Sequence, residues 1–169
     1  VVGDRIGTTT NSVELTTATL TTPDVVIEQA AGLVIADGYI PDGIAFDPRY
    51  AWNVATARYA DGRKKYPELG FGSNVSSFEG LQAFSSSTVS GLPEASANTN
   101  VKAIVGQWDA FRWGVQRNIP VERILYGNPD GLGDLKAQNQ IALRAEVVYG
   151  WAVMDLDAFA TVKDAVANV

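Results

Sequence analysis

Hydrophobic positions in this chain follow two different spacings. In the last third, Val101 to Val162, they fall at every second residue. Phe111, Trp113 and Val115 alternate with Arg112, Gly114 and Gln116. Ile141, Leu143, Ala145, Val147, Tyr149, Trp151 and Val153 form a second alternating row. A spacing of two puts each row on one face of a strand. Strands in globular domains typically run about five or six residues, so the second row predicts an unusually long ribbon. A ribbon of that length can cross from one packed body to another, and the earlier part of the chain must supply the layers that cover it.

Before residue 60 the spacing is helical. Thr22-Pro23-Asp24 is a helix start: threonine caps, proline suits the first turn, and the aspartate complements the positive helix end. Val26, Ala30, Leu33 and Val34 then recur at helical intervals, with Ile27 and Ala31 beside them, which predicts a helix over Pro23–Ala36 closed by Gly38. Ile44-Ala45-Phe46 reads as a short buried strand. Asp47-Pro48 repeats the start signal and predicts a second helix to Ala60, closed by Asp61-Gly62. Leu81 to Ser86 is a strand, and the polar stretch Ser87 to Asn100 is a loop. Residues 1–22 are rich in threonine, which favours extended backbone. They form either a loose arm or one edge strand through Val13 and Leu15, with Leu20 as a further candidate. The fold class is therefore α+β, a mixed domain with a central antiparallel sheet flanked by helices.

Composition narrows the chemistry. The chain has 169 residues, no cysteine and no histidine, and a net charge of −6. Disulfide scaffolds, thiol catalysis, Cys/His zinc sites and any triad needing an imidazole are excluded. The acidic balance gives no reason to expect a nucleic-acid groove, so no sequence-specific nucleic-acid binding is expected. No apolar run reaches the roughly 18 residues of a membrane span, and no membrane partner is expected. The start, VVGDRIGTTT, lacks a methionine and the layout of a signal peptide, and reads as processed or truncated.

Several stretches carry residues of types used in catalysis or binding. Asn128 to Asp134 (NPDGLGD) offers Asp130 and Asp134 but does not fit an EF-hand, and a turn built by Asn, Pro, Asp and Gly accounts for it better. Gly70-Phe71-Gly72 lacks the ending of a phosphate loop. The pairs Asp155/Asp157 and Asp42/Asp47 could act as acid and base only across a cleft. Asn74-Val75-Ser76 is a sequon in a chain that nothing marks as secreted. No catalytic, cofactor or metal residue is assigned, and no enzyme activity is expected. The long, glycine-bearing stretch Asp61 to Phe78 contains the basic triplet Arg63, Lys64 and Lys65 followed by Glu68. Loops over about 12 residues are commonly functional or mobile.

Four blocks, taken in order, resemble one known family. They are "GIAFDPRYAWNVATARYADGRKKYPELGFG", "FEGLQAFSSSTV", the glycine-x-Trp step leading to "GVQRNIPVE", and "NQIALRAEVVYGWAVMDLDAFATV". Their order and spacing resemble the C-terminal half of a tailed-phage major capsid protein of the Hong Kong 97 type. The resemblance implies a Hong Kong 97-like axial domain over residues 23–127, after a threonine-rich segment at 1–22. Residues 128–169 would be a long antiparallel ribbon returning toward an incomplete peripheral domain. The family's N-terminal arm, extended loop and spine helix have no counterpart, which implies a truncated product or a shortened relative. The implied function is a structural shell subunit of a phage or prophage capsid, self-assembling into pentamers and hexamers of an icosahedral head around DNA. Its place would be the virion, assembled in the host cytoplasm. Its partners would be other copies of itself, with scaffolding or portal proteins. By position in the family, Arg63, Lys64, Lys65 and Glu68 would form a self-assembly loop near the capsomer axis, mobile until neighbours order it. The alternatives are the shell protein of a bacterial compartment, a phage tail or surface binding module, and a carboxylate-dependent enzyme. A body cut from a larger subunit should also leave apolar surface uncovered, here expected around Val148, Trp151 and Met154. If the ribbon face at Val147 is buried, Val147→Asp should cost several kcal/mol.

Overall fold

The computed structural model describes residues 5–16, 23–69, 77–90, 100–117, 120–129 and 131–164. The two helix starts behave as their residues demand. Helix α1 spans Pro23–Ala36 and buries Val26, Ile27, Ala30 and Val34, the face marked by helical spacing. Gly38 follows at φ 89°, and the N–H groups of Asp37 and Tyr39 bond back to Leu33 and Val34. A side chain would strain that left-handed turn. Helix α2 spans Pro48–Thr56, and the Asp47 carboxylate caps it by accepting from the Arg49 N–H at 2.9 Å. Thr22, the expected cap of α1, and Leu20 lie outside the described residues.

Helix α2 stops at Thr56, short of the expected Ala60. Ala57 is already extended, and the chain doubles back on itself there. Lys65 N–H bonds to the Ala57 carbonyl, Tyr59 N–H to Arg63, and Arg58 bridges to Lys64. Asp61-Gly62, with Gly62 at φ 85°, is the turn of this small hairpin and does not end the helix.

The strands, in chain order, are β1 (Ser12–Leu15), β2 (Gly43–Phe46), β3 (Ser77–Phe78), β4 (Leu81–Ser85), β5 (Val101–Gly106), β6 (Phe111–Arg117), β7 (Val121–Ile124), β8 (Ala142–Ala145), β9 (Val148–Val153) and β10 (Phe159–Asp164). Six of them form one sheet in the order β1-β10-β5-β2-β4-β3. The expected antiparallel sheet is in fact mixed. β5 runs antiparallel to both its neighbours, and β3 is antiparallel to β4, but β1–β10 and β2–β4 are parallel. The parallel β2–β4 pair follows from α2 and the segment after it, which carry the chain back before β4 begins.

Register divides this sheet into two faces. Ala83, Ile44, Val105 and Ala160 stand side by side across four strands, and Phe46, Ala103 and Val162 form the next row. Both helices pack into the core made by these rows: Val26, Ile27, Ala30 and Val34 from α1, and Tyr50, Val54 and Ala55 from α2. Phe46 meets Phe78 edge-on at 5.8 Å, and Phe78 meets Tyr66 at 5.2 Å. Each such large side chain stabilises the fold by about 1.5–3 kcal/mol through burial. The opposite face carries Phe84, Ala45, Ile104 and Thr161 in one row.

The chain divides into two compact units, residues 1–111 with 153–169, and residues 112–152. This division differs from the boundary read between residues 127 and 128, because the C-terminal strand β10 lies inside the large sheet between β1 and β5. The expected unbroken ribbon is also interrupted. β8 pairs antiparallel with β7 while β9 pairs with β6 in a separate two-stranded sheet, so the chain leaves one ladder at Glu146-Val147 to join another.

Candidate functional site

The basic triplet is not three equivalent charges. Lys65 Nζ lies 3.1 Å from the Asp24 carboxylate in the first turn of α1, and both side chains are largely covered. The Tyr66 ring, itself buried, lies 5.3 Å under the same ammonium. Burial works against ionisation of Asp24, but Tyr66, Lys65 and the Val25 N–H outweigh it and hold the carboxyl below its ordinary value. The Tyr66 hydroxyl, then Asp24, raise the Lys65 ammonium despite partial burial. Burial pushes the Tyr66 phenol up to about 12. Arg63, by contrast, is exposed and pairs with Asp61 at 2.6 Å within the same turn. Lys64 is half-buried, and Glu68 is exposed between the buried Tyr66 and Leu69. The stretch 61–69 is thus anchored to the core by Tyr66 and Leu69 and to α1 by Lys65. Spacing could not reveal this, since Asp24 and Lys65 lie 41 residues apart.

Of the carboxylate pairs named above, Asp42, Asp47 and Asp155 serve structural ends. Asp42 accepts from the Trp108 N–H at 2.9 Å. Asp47 is buried, caps α2 and accepts from the buried Ser90 hydroxyl. Asp155 accepts from the Tyr39 hydroxyl and the Asp157 N–H, and Tyr39 first, then that N–H, hold its carboxyl below the ordinary value. In NPDGLGD, Asn128 accepts from the Gly133 N–H, and Asp134 accepts from the N–H groups of Gly127 and Lys136. These side chains build the turn over Leu135. Asp130, Gly70-Phe71-Gly72 and Asn74-Val75-Ser76 lie outside the described residues, as do residues 91–99 of the expected loop.

Two apolar surfaces remain. In residues 112–152, Leu135 is the only buried hydrophobic among the described residues. Trp113 is 72% exposed, Tyr149 62% and Trp151 52%, and Val148 and Met154 are exposed as expected. Tyr149 and Trp151 lie on one face of β9 with ring centroids 6.1 Å apart. Val147 is 45% exposed, so the face expected to be buried there is open. Two-stranded ribbons are marginal in water without a third layer, and open apolar areas of this kind mark interaction surfaces.

The second surface is a groove of about 510 Å³ on the face of the large sheet opposite the Ile44–Val105 row, walled by Ile6, Ala45, Phe84, Val89, Ile104 and Trp108. Two glycines lie under its Trp108 wall. Gly43 and Gly106 are register partners, and Gly106 in turn faces Phe159. A Cβ on Gly43 would sit 2.7 Å from Trp108, and one on Gly106 would sit 2.4 Å from Phe159. The Trp108 and Phe159 rings meet edge-on at 5.6 Å over this glycine floor. The glycine-x-Trp step at Gly106 therefore has a packing cause.

Comparison with known proteins gives the fold its class. The described fold is shared with a chain from the capsid of a native GTA particle with C5 symmetry, at TM-score 0.62 and 16% identity, over 92% of this chain and 49% of that one. The nearer likenesses are to individual phages. A chain of Mycobacterium phage Ogopogo is 51% identical at TM-score 0.84, over 97% of this chain and 56% of its own length. A chain of Gordonia phage Cozz is 37% identical at TM-score 0.82, over 99% of this chain and 53% of its own. The chain thus spans about half the length of the structures it matches. No family model and no curated protein matches it.

Proposed function

We propose that this chain is the C-terminal part of a shell subunit of the Hong Kong 97 type, from a tailed phage or prophage. It would assemble with copies of itself into pentamers and hexamers of a head that encloses DNA. The observation that carries this reading is the likeness, at 51% identity over nearly the whole chain, to a mycobacteriophage protein, joined to a fold shared with the capsid of a symmetric particle. The open apolar surfaces support it, because a shell subunit is stable only with neighbours that cover them. In this reading the six-stranded unit corresponds to the axial domain and residues 112–152 to part of the peripheral domain. No catalytic role is assigned: Asp42, Asp47, Asp134 and Asp155 cap, turn or tether backbone. The likenesses to phage chains favour a virion shell over a bacterial compartment.

The test is to express the full-length subunit and look for closed particles by electron microscopy and sedimentation. Particles of uniform size are the expected result, and a subunit that stays monomeric or aggregates without form refutes the reading. The basic turn is tested in the same assay. Lys65 is left in place because its bridge to Asp24 is internal. Arg63→Glu with Lys64→Glu should impair capsomer formation, more strongly at low salt, where charges are less screened. Unchanged assembly at both salt levels removes this turn, Glu68 included, from the assembly surface.

A further inference from the structure

The path of residues 5–12 points to what the groove holds. Ser12 opens β1 at the edge of the large sheet, in register with Thr161 of β10. Going back along the chain, the Asn11 carbonyl accepts from the Thr161 N–H at 2.9 Å. The buried Thr9 then donates its hydroxyl to the Phe159 carbonyl of β10 at 3.0 Å. Ile6 lies in the groove itself, with Ile104 of β5, Ala45 of β2 and Phe84 of β4. The chain thus crosses the sheet from its edge strand inward, over the face that carries the groove. Arg5, in extended backbone, leads into the turn Ile6–Thr8. Whatever precedes Arg5 therefore arrives beside the groove.

The chemistry of that approach fits the groove. None of the described residues lining it is charged. Val1-Val2-Gly3 is apolar, and the charges of Asp4 and Arg5 offset each other. Phe84 is 61% exposed, and covering it is favourable. Tethering decides between this segment and a separate molecule. Ile6 follows Val2 by four positions, a span of at most about 14 Å. A group on so short a link is present at an effective concentration on the order of millimolar, which a second copy in dilute solution does not reach. We propose that the groove seats the stretch leading into Arg5: Val1–Asp4 and the residues that join them to the rest of the full-length subunit. The seat fixes where that remaining part meets the six-stranded unit. The extension beyond Val1 rests on the shell-subunit reading, in which this chain, about half the length of the structures it matches, is the C-terminal part. The seating of Val1 and Val2 does not.

The chain has no cysteine, which permits a clean test. Val2→Cys is combined with Phe84→Cys in one chain, and the dithiol is equilibrated against a glutathione buffer. The control combines Val2→Cys with Ile35→Cys. Ile35 is exposed on α1, which packs on the opposite face of the sheet. That end of the helix is also near the start of the chain, since the Asn11 side chain bonds to Asp37 at 2.7 Å. Closure within one chain should favour the Phe84 pair over the Ile35 pair by at least about tenfold, which corresponds to about 1.4 kcal/mol. Adding Val1→Asp should remove most of that preference. Equal closure of the two pairs, or closure of neither, means that the segment has no seat in the groove and overturns the inference. Disulfide-linked dimers in place of closure give the groove to a second copy and overturn it as well. The Phe84 pair is then placed in the full-length subunit and followed beside the particle assay. Regular shells without closure overturn the seat and leave the shell reading standing. Closure without shells does the reverse.

Discussion

Gly106→Ala is the sharpest test of how the large sheet is packed. The new Cβ would lie 2.4 Å from Phe159 Cδ1 and 2.6 Å from the Ala158 carbonyl oxygen. Unstrained carbon–carbon contacts are about 3.5–4.0 Å, so roughly 1 Å must be found. Phe159 cannot swing aside, because it is fully buried and braced by Trp108. The backbone must therefore separate, and the bond from the Gln107 N–H to that same Ala158 carbonyl, 3.0 Å long, is stretched. Overpacking of this kind costs about 1–3 kcal/mol, and a weakened hydrogen bond adds up to about 1. The reduced freedom of the unfolded chain returns about 0.4–1. The expected loss is about 2–3 kcal/mol, read as a lower urea midpoint by circular dichroism. Gly32→Ala, in α1 with nothing near its Cβ, is the control and should raise the midpoint, since alanine favours helix by about 1 kcal/mol. In a double-mutant cycle, Phe159→Leu should partly relieve Gly106→Ala, with a coupling on the order of 1 kcal/mol. A Gly106→Ala protein within about 0.5 kcal/mol of the parent would refute the packing argument.

Further outcomes follow from other contacts in the structure. Asp47→Ala should cost about 1–2 kcal/mol by the same urea titration, because it uncaps α2 and removes the buried acceptor of Ser90. Alkaline pH should destabilise the fold, since Lys65 and Tyr66 both hold protons more tightly folded than unfolded. Their contribution is complete below about pH 10 and is lost as pH rises through their folded values. Tyr66→Phe should flatten that loss, and an unchanged slope would remove Tyr66 as its source. Asp24 acts in the opposite direction: its stabilisation is present above the ordinary carboxylate range and lost as pH falls below it. Val147→Asp should change stability by no more than about 0.5 kcal/mol, because the site is open to water; a larger loss would mean that this face is covered.

Local signals in the sequence were sufficient for elements whose causes are local. Pro23–Ala36 is set by a proline-aspartate start, an apolar stripe and a glycine that can turn left-handed, all within 16 residues. The strand at Ile44–Phe46 and the cap at Asp47 are local in the same sense, and the order of four blocks carried the resemblance to phage capsid proteins. The sequence also marked the exposed aromatics around Trp151. It could not show which strands pair, because partners such as Ser12 and Thr161 lie far apart along the chain. Alternation in Ile141–Val153 is the same whether a strand keeps one partner or changes partners, so the break at Glu146-Val147 left no local trace. The basic triplet looked uniform until the fold brought Asp24 beneath Lys65. The groove was equally invisible, since it is made by Ile6, Ala45, Phe84 and Ile104 from four distant segments. Periodicity reports which face of an element is apolar; only the tertiary arrangement decides whether anything covers it.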